Sequence, residues 1–273
     1  LSFFMFTFIT DRDGKFQLAA LAESGFDPLS RTCRFMLTEE AHHLFVGESG
    51  IGRIIQRTCE MMNQHKTDDP AKLRALGVID LPTIQKYLNF HFSVTSDLYG
   101  NEVSSNAASF YTNGLKGRFD ETKLADDHRL DAAEYPVMEV VGEGIVTRQV
   151  PALTALNERL RDDWVKDVSA GVSRWNKVPE KAGIPFRFRL PHKGFNRRIG
   201  IFTEHHVSPE GQVLSEAAWT HQHRQWLPVE EDHVYVRSLM GRVTEPGKYA
   251  NWIAAPARGV NNQPVNFEYV RFG

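Results

Sequence analysis

The stretch FMLTEEAHHLF, residues 35–45, sets two acids and two histidines inside an otherwise apolar run. It holds two overlapping E-x-x-H pairs, Glu39 with His42 and Glu40 with His43. On a helix the members of each pair share a face, because residues three apart are neighbours. Helical phase separates the two readings. The face through Glu40 also carries Cys33, Met36, Leu37, His43, Leu44, Gly47, Ile51 and Ile54, whereas the face through Glu39 carries Phe35, His42, Val46, Ser49 and Arg53. The first face is the more apolar, which predicts that Glu40 and His43 are the buried pair. A buried carboxylate and imidazole need partners or a metal ion, since desolvating them bare is costly. His42 is then an exposed neighbour of the site, or a hydrogen-bond partner that orients a ligand.

A lone E-x-x-H is a weak signal, and Asp11 strengthens it. From Leu1 to about Ser24 the residues Phe4, Phe8, Leu18 and Ala22 recur at helical spacing, with Asp11 on the same face. The alternative, that DRDG (residues 11–14) ends the helix, is opposed by KFQLAALAE, which continues the apolar register. GFDP, residues 25–28, stops this helix, and Ser30 is placed to cap a second one running to about Gln64. The two are expected to form an antiparallel hairpin. With the turn near Asp27, Asp11 lies 16 residues before it and Glu40 13 after it. At 1.5 Å per residue both sit at a similar depth, roughly 24 and 20 Å from the turn. A carboxylate on one helix facing E-x-x-H on the next is half of the carboxylate-bridged di-metal site of ferritin-like bundles. Apart from Glu230 with His233 no second E-x-x-H follows downstream, and the other half is expected upstream of Leu1 or on another chain.

Outward from this hairpin the chain stays helical. Pro82 opens a helix through IQKYLNFHFSVTSDLYG, another helical stretch is expected in EVSSNAASFYTNGLKGRF, and residues 120–150 are polar with a strand-like VMEVVGEGIVTRQV. Helical periodicity resumes at Leu153, Leu156, Leu160 and Trp164. After Pro179 the character changes: FRFRL, residues 186–190, alternates at period two, and turn residues become frequent. The predicted fold is mainly α, a partial ferritin-like helical bundle over residues 1–178 with a mixed α/β carboxyl-terminal extension over 179–273 packed on it.

Composition narrows the function classes. With 32 Lys and Arg against 34 Asp and Glu, charge gives no reason to expect nucleic acid or an anionic membrane. The apolar LSFFMFTFIT meets DRDGK after ten residues, too short for a bilayer span and without the flanks of a signal peptide. The absence of an initiator Met or a cap before it suggests a helix begun further upstream. Two cysteines, Cys33 and Cys59, fall too far apart on one predicted helix to bridge, which favours a reducing cytoplasm. GESGIGR, residues 47–53, lies inside a helix pattern without the preceding strand of a dinucleotide loop, so its glycines are expected to permit close helix packing. No G-x-S-x-G elbow supports hydrolase chemistry.

Longer strings carry a specific likeness. LSFFMFTFITDRDGKFQLAALAES, FMLTEEAHHLFVGESGIGR, DLPTIQKYLNFHFSVTSDLYG, YTNGLKGRF and the tail NWIAAPARGVNNQPVNFEYVRFG resemble the oxygenase components of the benzoyl-CoA 2,3-epoxidase family, over residues 1–273 with residues 120–150 divergent. The resemblance implies a di-iron enzyme in which Asp11 matches a terminal aspartate ligand, Glu40 the bridging glutamate and His43 a histidine ligand. It also implies two iron ions, dioxygen, and electrons from NADPH through a separate flavin and iron–sulfur reductase. The reaction implied is epoxidation of the benzoyl-CoA ring in aerobic benzoate degradation. Family members are longer at the amino terminus, where they carry the first glutamate and first E-x-x-H, which this chain lacks. An iron-storing ferritin-like protein, or an inactive fragment that keeps the fold without its metals, is the alternative.

A coenzyme A thioester carries phosphates, which directs attention to basic clusters: Lys116 and Arg118 in LKGRF, and Lys193, Arg197 and Arg198 in PHKGFNRR. These are expected phosphate contacts, against the plainer reading of a solvated face. His221 and His223 in WTHQHRQW would need one strand face to share a metal, and are expected to be a surface pair.

Overall fold

The expected hairpin forms as α1 (Ser2–Ala22) and α2 (Asp27–His65). The structure, a computed structural model, describes residues 1–125, 130–244 and 249–258. α2 starts earlier than Ser30. Pro28 sits in its first turn, where a missing N–H costs nothing, and the Asp27 carboxylate meets the positive end of the helix. Ser30 instead donates its hydroxyl to Ala22 O at 2.5 Å, fastening the end of α1 to the first turn of α2. α1 runs unbroken through Asp11, Arg12, Asp13 and Gly14.

Two glycines set how closely the helices approach. A Cβ on Gly47 would lie 2.4 Å from Phe8 N and 2.6 Å from Thr7 Oγ1, and one on Gly50 would lie 2.4 Å from the Phe4 ring. α2 therefore rests against the backbone of α1, as the sequence GESGIGR leads one to expect. The pairs Phe4 with Gly50, Phe8 with Gly47 and Gly14 with Glu40 run in opposite directions along the two helices, so the packing is antiparallel.

α1 is the central helix. α3 (Pro70–Ala75) leads to α4 (Leu81–Asp97), capped by Asp80, whose Oδ1 accepts from Thr83 N at 2.8 Å. α4 and α6 (Leu156–Lys181) join α2 against α1. Met5, Phe8, Ile9 and Phe16 of α1 meet Ile51, Ile54 and Ile55 of α2, Ile84, Leu88 and Phe92 of α4, and Leu160, Trp164, Val168 and Trp175 of α6 in one core. With three helices around it α1 buries more than a single stripe, which explains why Met5, Ile9 and Ala20 are buried besides Phe8 and Ala22.

The helix expected across residues 102–119 contracts to α5 (Ser105–Thr112), and from Gly114, at φ +67°, the chain leaves helical geometry. The strand-like region is a hairpin, β1 (Glu134–Val141) with β2 (Gly144–Pro151), turning at Gly142 with φ +61°. α6 passes through Pro179 to Lys181. FRFRL forms no strand. Its backbone is held by side-chain amides instead: Asn176 Nδ2 donates to Phe188 O at 2.9 Å and Asn176 Oδ1 accepts from Phe188 N at 2.7 Å, while Gln85 does the same for Arg189 at 2.8 and 3.0 Å. Period-two burial thus arises without a sheet. The remaining described elements are a two-residue ladder of β3 (His206–Val207) with β4 (Val213–Leu214), α7 (Glu216–Trp226) and α8 (Glu230–Ser238). Ile184, Phe188, Val236 and Ile253 enter the same core as α1, so this mixed region packs on the helices. The fold is mainly α, with small antiparallel ladders. Residues 259–273 of the expected extension lie outside the described residues. Among the described residues no helix is long and apolar enough to cross a membrane.

Gly50→Ala should cost about 2 kcal/mol or more in urea unfolding, because its methyl would enter the Phe4 ring. Gly52→Ala, whose methyl meets only Trp175 at 3.9 Å, should be neutral or stabilise by up to about 1 kcal/mol from helix propensity.

Candidate metal centre

The register of α1 on α2 brings Asp11, Glu40 and His43 together, with one ligand atom from each lying within 4.8 Å of the others. His43 Nδ1 is 3.7 Å from Asp11 Oδ2 and 4.0 Å from Glu40 Oε2. These separations are too long for hydrogen bonds between the groups. They suit donors that converge on a shared cation. Glu39 and His42 are exposed, as helical phase predicts. His42 has no hydrogen bond to a ligand residue, and its ring centroid lies 6.5 Å from that of His43.

Burial differs within the trio. The Asp11 and Glu40 side chains are 17% and 15% exposed, but His43 is 45% exposed, so the expectation of a buried Glu40–His43 pair holds for Glu40 alone. α6 packs on α2 around Glu48, Gly52 and Asn63, past His43, and the outer surface of α2 near His43 carries exposed Phe35, Met36 and Phe45.

The electrostatics are those of under-compensated acids. Burial pushes the Glu40 carboxyl up from its ordinary value, and the neighbouring Asp11 pushes it further, with His43 opposing. Burial also raises Asp11, again opposed by His43. Glu40 Oε2 is buried without a hydrogen-bond partner among the described residues. A buried carboxylate oxygen left bare is unusual, and a cation would satisfy it. On its other side Glu40 borders a cleft lined by Ala19, Leu37, Ala41, Leu44 and Phe119, with Lys15, Asp120 and Lys123 also on its walls.

The basic residues singled out as phosphate contacts fare differently. Lys193 Nζ is 2.6 Å from Glu158 Oε1 and also pairs with Asp162. Arg197 is buried between Asp97, at 2.5 Å, and Glu102, at 3.1 Å. Both belong to a knot around fully buried Arg161, which pairs with Glu158 and Glu102 and donates from Nε to Ser96 O at 3.1 Å. Their donors are spent on carboxylates, and they tie α4 and α6 to the 193–199 loop rather than face a ligand. The Arg198 side chain is exposed. Arg118 pairs with Glu121 at 2.6 Å, and Lys116 donates to Gln17 Oε1 at 2.7 Å. His221 and His223 lie on α7, not on a strand, and His223 stacks on Trp219 and bonds to Trp219 O at 3.0 Å. The partners of Lys193 and Arg197 come from 31 to 100 residues away, which no local pattern reveals.

Over 272 residues, 100% of this chain, the sequence is 75% identical to benzoyl-CoA oxygenase component B of Aromatoleum evansii. The chain is a homologue of that protein. It spans 58% of the length of that relative. No protein-family model matches it.

One acid of this oxygenase homologue escaped the sequence reading. Asp13, on the α1 face turned from α2, is 7% exposed, with Oδ1 lacking a hydrogen bond, near Tyr99, Gln17 and Lys116. Burial pushes its carboxyl up to about 6, opposed by the neighbouring polar groups of Tyr99 and Gln17 and the charge of Lys116. A raised folded-state value means that the native protein holds this proton more tightly than the unfolded chain. Its contribution to stability is therefore present below the unfolded value near 4 and is lost as pH rises through about 6. Urea unfolding of wild type and Asp13→Asn at pH 4 and pH 7 should show wild type losing stability relative to the variant across that interval, by on the order of 2 kcal/mol.

Proposed function

We propose that this chain is the part of a benzoyl-CoA oxygenase component that carries half of a carboxylate-bridged di-iron centre in a ferritin-like bundle. Asp11, Glu40 and His43 would be the residues of this chain that hold the iron. The observation that carries the reading is Glu40 Oε2, buried without a partner within reach of Asp11 and His43. A relative that shares 75% of these residues and is named for oxygenation of benzoyl-CoA supports it. The complementary glutamate and E-x-x-H would come from another stretch of the complete protein or from another chain, since the one other E-x-x-H here, Glu230 with His233 on α8, turns His233 to the Tyr87 hydroxyl at 2.8 Å. Residues 1–178 are the metal-bearing region and 179–273 an extension whose described part packs on it through Ile184, Phe188, Val236 and Ile253.

When bound, iron supplies the reduction of dioxygen, with electrons delivered from NADPH by a separate flavin and iron–sulfur reductase, so that one oxygen atom reaches the 2,3 bond of the thioester-activated ring. The chain's own residues hold and shape. A cation held by Asp11 and Glu40 would need both carboxyls ionised, and burial raises both above their ordinary values, so cation affinity falls as pH drops. Carboxylates suit the task because each can bind through one oxygen or two. Leu37, Ala41, Leu44, Ala19 and Phe119 wall the cleft beside Glu40 with apolar surface that accepts a flat ring and keeps water from it. The two free, buried cysteines and the absence of a membrane-length helix among the described residues accord with a cytoplasmic enzyme.

Incubating the complete component with reductase, NADPH, benzoyl-CoA and dioxygen, followed by mass analysis of the thioesters, should give a product one oxygen heavier. Glu40→Gln should lower its formation by roughly a hundredfold or more. Oxygen consumption with unaltered benzoyl-CoA would instead favour an iron-oxidising protein without an organic substrate.

A further inference from the structure

Glu40 and Lys15 line the walls of one cleft, and Lys15 follows directly on Gly14, the α1 residue on which a Cβ would lie 3.5 Å from Glu40 Oε1. A lysine ammonium on its flexible four-carbon stem is the natural counter-charge for a bare carboxylate oxygen so close by. Glu40 Oε2 nevertheless has no hydrogen-bond partner, and among the described residues Lys15 forms its ion pair with neither Glu40 nor Asp11.

The ammonium is drawn to α6 instead. Lys15 Nζ lies 2.9 Å from Asp167 Oδ2, with its charge 5.1 Å from the centroid of the Phe16 ring and 5.9 Å from that of Phe119. The same oxygen accepts from Arg12 Nη1 at 2.9 Å, while Arg12 Nη2 reaches Glu48 Oε2 at 3.2 Å. Both cations of α1 therefore end on Asp167. Asp167 itself belongs to no metal-binding group among the described residues. Its hold on Lys15 still matters to one. An ammonium on Glu40 would satisfy the bare oxygen, cancel the charge that attracts a cation and have to be expelled before a metal could bind.

We propose that Asp167 is a positioning residue for the metal half-site: by holding Lys15 on α6 it keeps an ammonium off Glu40 and leaves that carboxylate to a divalent cation. The role rests on the proposed function, since it requires a metal at Asp11, Glu40 and His43. It acts through Lys15 and not through contact with a ligand, which separates it from an ordinary structural ion pair. Loss of the Asp167 charge does harm at the half-site only while Lys15 is present.

Titration of the protein with Co2+, read by equilibrium dialysis and by the visible absorption of the bound ion, tests this in a double-mutant cycle. Asp167→Asn keeps the shape of the side chain and an acceptor for Arg12, which also retains Glu48, so the variant should fold, as thermal unfolding of the metal-free protein will show. It should weaken Co2+ binding by roughly tenfold or more, the effect of a charged hydrogen bond gained by Glu40. Lys15→Met should bind at least as tightly as wild type. Asp167→Asn combined with Lys15→Met should return to the affinity and absorption bands of Lys15→Met alone. Wild-type affinity in Asp167→Asn, weaker binding in Lys15→Met, or a double variant as weak as Asp167→Asn would each overturn the proposal. Absence of Co2+ binding by wild type would overturn the half-site itself, and this role with it.

Discussion

The close contact of α2 with α1 at two α2 glycines, Gly47 against the Thr7–Phe8 backbone and Gly50 against the Phe4 ring, is the constraint on which the rest of this structure depends. A side chain at either position would hold the helices apart and shift their register. With the glycines in place, Phe4 and Phe8 fill the space above α2, and one to two turns further along Asp11 comes level with Glu40 and His43. The convergence of Asp11, Glu40 and His43 is therefore a consequence of helix packing rather than of any loop. It sets these three side chains on rigid elements above a packed core.

That rigidity has an electrostatic cost which the fold leaves standing. Asp11 and Glu40 are two acids close together, both partly desolvated, faced by a single half-exposed imidazole. Elsewhere many of the buried acids are paired: Glu158 and Glu102 meet Arg161, Lys193 and Arg197, and Glu48 and Asp167 share Arg12 with Arg174 and Lys15. Among the described carboxylates Asp13 Oδ1 and Glu40 Oε2 are left bare. Only the second stands beside another acid and a histidine, where a cation supplied from outside would satisfy it.

Much of this was legible in the sequence because it follows from helical period. Phase chose Glu40 over Glu39, counting from the turn placed Asp11 opposite, and the glycines of GESGIGR announced close packing. Where chain-distant partners decide the outcome, local pattern failed. FRFRL alternates like a strand, but the amides of Asn176 and Gln85 take the place of a neighbouring strand. The basic run 193–198 looks like a phosphate cradle, yet acids from α4, α6 and the loop after α4 consume two of its cations. Ser30 has the hydroxyl of a cap, but Pro28 fits the first turn of a helix that starts three residues earlier, at Asp27. His43 proved half-exposed because burial depends on which third helix covers that stretch of α2, and phase along a single helix carries no such information.

The central claim is that Asp11, Glu40 and His43, and not the overlapping pair, form a metal half-site. Anaerobic titration with ferrous ion at pH 7, read by equilibrium dialysis and metal analysis, tests it most directly in a set of four single alanine variants. Loss of bound iron in Glu40→Ala and His43→Ala, with Glu39→Ala and His42→Ala matching wild type, is the result the structure predicts. Equal binding by all four variants, or loss confined to Glu39→Ala and His42→Ala, would contradict it.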